Sequence, residues 1–256
     1  MTPLDALRRY LRQWAEIQWG HQTRAARTAA LTYSGMYDYV LDRGRVFDSA
    51  TALTADEVDV VRVAAEEAEA MHGCAFQTRD CFWNAQVLAM SDPTETVRYC
   101  EGFAQGHVFP VHHAWATIGG KVVDLTWRRV SLGDEPDAYH EPDDALDRRI
   151  VGVAPEGFVY FGCDDYPGSE EMQRRMDEHE VCWSFLDCDD EAEMVDRYSV
   201  ARVSPRPPMS PAVRMLLEAN GMLDEDRQSD GAADVREVRM DTDDMMPWEP
   251  EVPPCI

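Results

Sequence analysis

Apolar residues recur at helical spacing in the N-terminal part of the chain. Within residues 3–20, the apolar positions on one helical face are Leu4, Leu7, Tyr10, Leu11 and Trp14. A second helix is predicted at about 24–41. A third is predicted at about 55–71, because Thr54 and Glu57 have the spacing of a capping box. The pattern therefore predicts a helical N-terminal segment.

A series of shorter, largely apolar segments follows, and segments of this length are typical of strands. They predict strands near residues 97–104, 109–118, 121–128 and 158–161. Gly119-Gly120 lies between the second and third of these and is typical of a tight hairpin turn. Strands joined by short turns run antiparallel, so the pattern indicates an antiparallel sheet.

Short helices are predicted on either side of these strands. One is expected at about 81–90, with Asp80 as its candidate N-cap. Others are expected at about 169–179, 191–198 and 213–220.

Three residues in this pattern form a complete set for nucleophilic catalysis. Cys81 opens a helix, His113 lies in a strand and Asp124 lies in the next strand. A helix N-terminus or a nearby imidazolium favours the thiolate, which is the reactive form of cysteine. The histidine would take up and return the proton, and the aspartate would orient the imidazole and stabilise its charged form. An aspartate in an apolar strand also needs a partner, since an unpaired charge there is costly.

The order of these residues resembles that of the transglutaminase-like superfamily of papain-like cysteine enzymes. Four segments carry the resemblance: Cys81-Phe82-Trp83-Asn84-Ala85, Tyr99-Cys100-Glu101-Gly102-Phe103-Ala104, His113-Ala114-Trp115 and Val122-Val123-Asp124-Leu125-Thr126-Trp127. They are similar to small bacterial and phage proteins that read CFxNA, YxEGxA, HAW and VVDPTW, with Leu125 here in place of the proline. The resemblance covers about residues 74–130.

The resemblance implies an α+β fold with a papain-like or transglutaminase-like core, in which the Cys81 helix packs on an antiparallel sheet. We expect a helical N-terminal extension at residues 1–50, a catalytic domain at 51–203 and a tail at 204–256. The tail is acidic and proline-rich with few apolar residues, so it is expected to be largely disordered.

Two supporting positions are expected near the candidate nucleophile. Gln77, four residues before Cys81, is a candidate to share an oxyanion hole with the backbone N–H of that cysteine. A plain loop residue is the other interpretation of Gln77. Asn84, one turn after Cys81, is expected to hydrogen-bond locally behind the nucleophile.

Aromatic and histidine side chains flank the candidate catalytic residues. The flanking tryptophans are Trp83, Trp115 and Trp127. Each is interpreted either as core or as substrate cleft, and one of the three is expected to line the cleft. Adjacent strand residues face opposite sides, so only one of His112 and His113 can face Cys81. The His-Ala-Trp context favours His113, and His112 is expected at the surface.

Other assignments of the reactive groups are weaker. Cys74 is a lesser candidate nucleophile, because it lies in a loop without the Asn-Ala context. A zinc site made of His107, His112, His113 and Cys100 has a spacing that matches no common ligand pattern. We therefore expect no metal ion and no organic cofactor. The 7 cysteines have no regular spacing, which indicates reduced thiols in the cytoplasm.

Charge is the unusual feature of the composition. The 256 residues include 49 Asp+Glu and 24 Lys+Arg, for a net charge of −25, and Lys121 is the sole lysine. Nucleic acids and anionic membranes bind basic surfaces, so neither is expected as a partner. Cationic substrates such as polyamines or lysine-rich peptides would be attracted, although a solubilising surface charge is the simpler interpretation. Residues 1–20 lack the apolar core of a signal peptide, and no stretch approaches the roughly 18 apolar residues of a membrane span.

The resemblance implies cysteine-dependent acyl chemistry on an amide of a protein or peptide, through a thioester. Water or a cationic amine would receive the acyl group, and the sequence leaves this choice open. Arylamine N-acetyltransferases use the same residue order, but typically have Arg-Gly-Gly where Thr78-Arg79-Asp80 stand here. A non-catalytic, protein-binding adaptor on the same fold is the other class. All three candidate residues are present, which favours an enzyme.

Overall fold

The protein combines helices with one antiparallel sheet, as seen in a computed structural model. The structure describes residues 1–21, 31–72, 76, 80–106, 109–128, 146, 149–179, 184–188 and 191–220. Its helices are α1 (Pro3–His21), α2 (Met36–Arg43), α3 (Ala55–His72), α4 (Cys81–Met90), α5 (Ser169–His179), α6 (Glu191–Tyr198) and α7 (Pro211–Ala219). Its strands are β1 (Arg45–Val46), β2 (Arg98–Gln105), β3 (Pro110–Ile118), β4 (Lys121–Arg128), β5 (Arg149–Val151) and β6 (Val159–Cys163). The predicted α+β class is confirmed.

The strands lie in the order β1-β6-β2-β3-β4-β5, and neighbouring strands are antiparallel. The predicted hairpin is confirmed, with Ile118 paired to Lys121. Gly119 and Gly120 form its turn with φ angles of 57° and 80°, a left-handed conformation that glycine adopts without strain.

The capping box at the start of α3 is also confirmed. The backbone N–H of Thr54 donates to Glu57 Oε2 at 2.7 Å, and the N–H of Glu57 donates back to Thr54 Oγ1 at 3.2 Å. These bonds satisfy two N–H groups that a helix N-terminus otherwise leaves unpaired.

The predicted helix at 24–41 is wrong for residues 31–35, which are not helical. Gly35 has a φ of 147°, outside the helical region, and α2 starts directly after it. The N–H of Ser34 donates to Asp38 Oδ2 at 3.1 Å, so a side chain replaces the helical partner. Residues 22–30 lie outside the described part of the chain. Strands β1 and β5 were not predicted, since two and three residues are too few to show an alternating pattern.

The two faces of the sheet differ in what covers them. We call the helical face the side whose buried residues include Tyr99, Phe103, Ala114, Ala116 and Val123, because α1, α2, α4 and α5 pack there. We call the opposite face the side that buries Cys100, Trp115, Val122, Ile150 and Tyr160, together with Phe47. Since side chains alternate along a strand, His113 and Trp115 lie on the opposite face.

Strands β2 and β6 approach closely where Gly102 pairs with Gly162. A Cβ on Gly102 would lie 2.4 Å from Gly162 Cα, and a Cβ on Gly162 would lie 2.7 Å from the indole of Trp115. Glycine at both positions therefore makes room on the opposite face for the Trp115 ring, next to His113.

The C-terminal part of the described chain is attached to the N-terminal helices. Asp38 binds both Arg202, at 2.9 Å, and Arg206, at 3.1 Å. Helix α7 contacts α1, and Ser210 caps α7 by accepting a bond from the N–H of Val213. Residues Met1–Leu223 form one compact unit. The segment 204–220 of the predicted tail is thus packed, whereas residues 221–256 lie outside the described chain.

Within these described ranges, no helix has the length and apolarity needed to cross a membrane.

Candidate active site

His113 and Asp124 form a buried pair on the opposite face. Asp124 Oδ2 lies 2.8 Å from His113 Nε2, and the two residues are 1% and 2% exposed. The register of the hairpin explains the contact. Ala116 pairs with Val123, which aligns Trp115 with Asp124 and puts His113 on the same side of the sheet, one diagonal step away.

The Asp124 carboxylate also accepts bonds from three other donors. Its Oδ1 accepts the backbone N–H groups of Thr126, at 2.9 Å, and Trp127, at 3.1 Å. Its Oδ2 accepts the hydroxyl of Tyr160 at 2.9 Å. A carboxylate with four donors is held in one orientation and remains ionised in a dry site.

The bonds to Thr126 and Trp127 bend β4, whose pairing with β5 is irregular between Asp124 and Arg128. The bend turns the Trp127 indole over the imidazole of His113. The two rings stack with centroids 4.4 Å apart and planes at 20°. A half-buried indole thus covers one face of the imidazole, and a π-system in this position favours a cationic ring.

The electrostatics of the pair favour an imidazolium–carboxylate state. Burial lowers the pKa of His113, but the charge of Asp124, its hydrogen bond and the Cys81 side chain outweigh burial and raise the pKa to about 10. Burial raises the pKa of Asp124, but His113 and the two backbone N–H groups hold it below its usual value. His113 therefore carries a proton at neutral pH.

The Cys81 side chain contacts the imidazole of this pair from the start of α4. Helix α4 packs against β3 and β4 on the helical face. The Cys81 side chain is among the groups that raise the pKa of His113. Because Nε2 is bonded to Asp124, Nδ1 is the ring nitrogen available to the thiol.

Asn84 links α4 to the sheet. Its amide Nδ2 donates to Thr126 Oγ1 at 2.9 Å, and the side chain is almost fully buried. The sequence predicted a local hydrogen bond for Asn84, and the structure shows one that crosses from α4 to β4. This bond ties the helix of Cys81 to the strand of Asp124.

Cys81 itself opens α4 and is 9% exposed, the most accessible of the three candidate residues. Asp80 occupies the predicted N-cap position, but its side chain makes no capping hydrogen bond. Burial raises the pKa of the other free cysteines of the described chain, Cys100, Cys163 and Cys188.

The three tryptophans have different surroundings. Trp127 stacks on His113, as described above. Trp115 is fully buried, with edge contacts to Phe47 and Tyr160 at 5.3 Å and 5.2 Å, so it belongs to the core. Trp83 packs with a separate cluster between α3, α4 and α5, where its ring lies 5.2 Å from His72. Trp115 also lies beside His113, with ring centroids 6.4 Å apart, but Trp127 is closer to the imidazole.

His112 is not the surface residue that the sequence predicted. Its Nε2 lies 2.8 Å from Glu101 Oε1, and its side chain is only 19% exposed. Glu101 is fully buried and also accepts bonds from the side chains of Tyr99 and Ser184. The prediction failed because the helical face is covered at this end of β3 by Phe82 and Phe103, both in ring contact with His112.

Tyr160 is the site residue that sequence reasoning missed. It lies on β6 and donates to the same oxygen of Asp124 that His113 contacts. The only signal in the sequence was a tyrosine inside the apolar run of the predicted strand at 158–161. A buried tyrosine hydroxyl needs a hydrogen-bond partner, but the sequence did not indicate which one.

Several predicted positions lie outside the described residues: Cys74, Gln77 and His107. The described residues include no group of three or more His, Cys, Asp or Glu that could hold a metal ion.

Comparisons with known proteins add no further assignment. No family model matches the chain, and no curated protein or solved structure matches it either. The geometry of the site is therefore the basis for a functional proposal.

Proposed function

We propose that this protein is a cysteine enzyme that cleaves or transfers the acyl group of an amide in a protein or peptide. The observation that supports this most is the His113–Asp124 pair, buried and bonded at 2.8 Å, with the Cys81 side chain against the imidazole. The transglutaminase-like resemblance of the sequence agrees with this arrangement. We also propose that the α+β fold has a papain-like or transglutaminase-like core.

The reaction begins with attack of the Cys81 thiolate on the amide carbonyl carbon, which forms a carbon–sulfur bond. The carbonyl oxygen becomes an oxyanion, which the backbone N–H of Cys81 at the start of α4 would stabilise. The carbon–nitrogen bond then breaks, and the His113 imidazolium gives its proton to the leaving amine. The product of this half-reaction is a thioester on Cys81 and a neutral imidazole.

The second half-reaction resolves the thioester. Neutral His113 takes a proton from water or from an incoming amine, which attacks the thioester carbonyl. The carbon–sulfur bond breaks and Cys81 leaves as the thiolate, so the imidazolium–thiolate pair is restored. Asp124 stays ionised throughout and holds the imidazole with Nδ1 toward the sulfur. No step uses a metal ion or an organic cofactor.

We propose that the protein acts in the reducing cytoplasm, because an oxidised Cys81 would be inactive. The proposal includes protein or peptide amides as substrates and a cationic amine as a possible acceptor. It does not include nucleic acid or membrane as partners, given the net charge of −25.

The thioester is the species that tests this proposal. The protein is incubated with a mixture of glutamine-containing and other amide peptides, quenched with acid and examined by intact-mass spectrometry. We expect a peptide adduct on Cys81 that hydroxylamine releases as a hydroxamate. The Cys81→Ala variant is expected to form none, whereas Cys188→Ala, which changes a half-buried thiol elsewhere, is expected to behave as wild type.

The contrary result is a folded protein that forms no Cys81 adduct and no hydroxamate with any amide class. That outcome would favour the adaptor, which needs no reactive thiol.

A further inference from the structure

A continuous series of aromatic rings crosses the helical face from α4 to α1. The ring of Phe82 lies 5.1 Å from the imidazole of His112, which lies 5.5 Å from the ring of Phe103. Phe103 stacks on Tyr37 at 4.9 Å, and Tyr37 stacks on Trp14 at 5.7 Å. We call these five residues the aromatic ladder.

The aromatic ladder starts beside the candidate nucleophile and ends at the surface. Phe82 directly follows Cys81 in the first turn of α4. Trp14, at the other end, is 40% exposed, although tryptophan side chains are highly buried on average. Phe82 is partly exposed, as are His112 and Tyr37 farther along the ladder. Within the ladder, only Phe103 is fully buried. The ladder therefore offers partly exposed aromatic rings at both ends, beside Cys81 and on α1 and α2, with the buried Phe103 between them.

An exposed negative charge acts on one ring of the aromatic ladder. Asp187 is exposed, and its charge adds to burial and to Tyr10 in raising the pKa of Tyr37 to about 12. Beneath His112, burial raises the pKa of Glu101, but bonds from His112, Ser184 and Tyr99 outweigh it and keep the carboxyl ionised. The whole chain adds a net charge of −25. Asp187 and the net charge therefore favour a cation at the Tyr37–Trp14 end of the ladder.

We propose that the aromatic ladder is a binding subsite for a lysine- or arginine-containing segment of a peptide substrate. The faces of aromatic rings attract cations, and a basic side chain over Tyr37 or Trp14 would also lie near Asp187. The inference rests on the proposed function, because it supplies the substrate class for the Cys81 site. It gives the N-terminal helices a role in binding, since α1 and α2 contribute Trp14 and Tyr37.

The test is peptide binding to the full-length Cys81→Ala variant, so that no turnover interferes. Two fluorescein-labelled peptides of equal length are compared by anisotropy, one with lysine and arginine and one with glutamate at the same positions. We expect the basic peptide to bind and the acidic peptide not to bind. Adding Trp14→Ala is expected to weaken binding of the basic peptide by about 2- to 5-fold, the range of an exposed cation–π contact.

Trp19→Ala is the matched control. Trp19 lies on the same helix and is 37% exposed, but it stacks with Arg206 rather than with the aromatic ladder. We expect Trp19→Ala to bind the basic peptide as its parent does. Trp14→Phe, which keeps a ring at the position, is expected to recover most of the loss and shows that the fold is intact.

Equal effects of Trp14→Ala and Trp19→Ala, or equal binding of the two peptides, would overturn the subsite. Binding that depends on salt alone and ignores Trp14 would also overturn it, because charge attraction without the rings would explain it. A protein that binds the basic peptide through Trp14 but forms no thioester on Cys81 would instead refute the proposed function and leave the subsite intact.

Discussion

Asp124 shows how single residues determine the chemistry of the site. Its carboxylate accepts four hydrogen bonds, two of them from the backbone of the strand that carries it. Those two bonds bend β4 and thereby bring Trp127 onto His113. Asp124 thus orients the imidazole and favours its protonated form, and its bonds to the backbone bring the Trp127 ring over the imidazole.

The His113–Asp124 contact was predictable from sequence, whereas the contact with Tyr160 was not. Gly119-Gly120 sets the register of the hairpin, and the register puts His113 and Asp124 on one face. Tyr160 lies 36 residues beyond Asp124 on β6, which pairs with β2 and not with β4. Nothing local in the sequence specifies where β6 inserts in the sheet.

Tyr160→Phe tests the hydrogen bond to Asp124. Removing a donor from a buried carboxylate is expected to cost about 2 kcal/mol of unfolding free energy at neutral pH. It also raises the pKa of Asp124 toward the unfolded value. Because a depressed carboxyl pKa contributes stability above the unfolded value and loses it as pH falls, the variant should lose stability at a higher pH than wild type. Urea unfolding between pH 3 and 7 measures both effects.

Tyr39→Phe is the matched control for this variant. The Tyr39 hydroxyl also donates to a carboxylate, Asp165, but at 3.3 Å and with the Asp165 side chain 47% exposed. We expect a smaller loss of unfolding free energy than in Tyr160→Phe, and the same decline of stability at low pH as in wild type. If Tyr160→Phe and wild type lose stability at the same low pH, Tyr160 does not act on Asp124.

At the scale of elements, the site depends on the packing of α4 against β3 and β4 and on the packing of β6 against β2. The Asn84–Thr126 bond ties α4 to β4 and so holds Cys81 near His113. The α4 helix and the hairpin were predictable, because each has a local signal. The attachment of α4 to β4 was not, since the Asn84–Thr126 contact joins segments that are distant in the sequence.

Gly102→Ala tests the close approach of β2 and β6. The new Cβ would lie 2.4 Å from Gly162 Cα and 2.5 Å from the carbonyl oxygen of Phe161, both backbone atoms that do not move cheaply. We expect a loss of about 3 kcal/mol in urea unfolding, at the upper end of overpacking costs.

Gly168→Ala provides the comparison, because a Cβ there meets no atom within 4 Å. Its cost should stay below about 1 kcal/mol, the loss expected where alanine replaces glycine next to a helix start. Similar unfolding midpoints for the two variants would contradict the packing described here.

At the scale of the whole molecule, the N-terminal helices and the C-terminal segment are joined through Asp38. This residue is 3% exposed and binds Arg202 and Arg206, while Asp42 accepts the backbone N–H groups of Val203 and Ser204. The prolines of residues 204–211 predicted a linker, and proline content alone does not reveal ion pairs to a distant helix. The contacts were unpredictable for that reason.

Asp38→Asn tests this connection. It keeps the size of the side chain but removes the carboxylate that Arg202 and Arg206 share, and Arg202 keeps only a longer contact with Asp42 at 3.9 Å. We therefore expect a loss of about 3 kcal/mol in urea unfolding. Hydrogen exchange at residues 201–206 should become faster in the variant.

Asp164→Asn is the control, since its ion pair with Arg45 is exposed and should contribute less than about 1 kcal/mol. If Asp38→Asn behaves like this control, the segment is held by other contacts.

The central claim is that Cys81 and His113 form a thiolate–imidazolium pair. The most direct test is the rate of iodoacetamide alkylation of each cysteine between pH 5 and 9, read by mass spectrometry in wild type and in folded His113→Ala. We predict that Cys81 reacts below about pH 7 while Cys100, Cys163 and Cys188 do not, and that His113→Ala abolishes the difference. Alkylation of Cys81 at the same rate as the other three, with no effect of His113→Ala, would contradict the account.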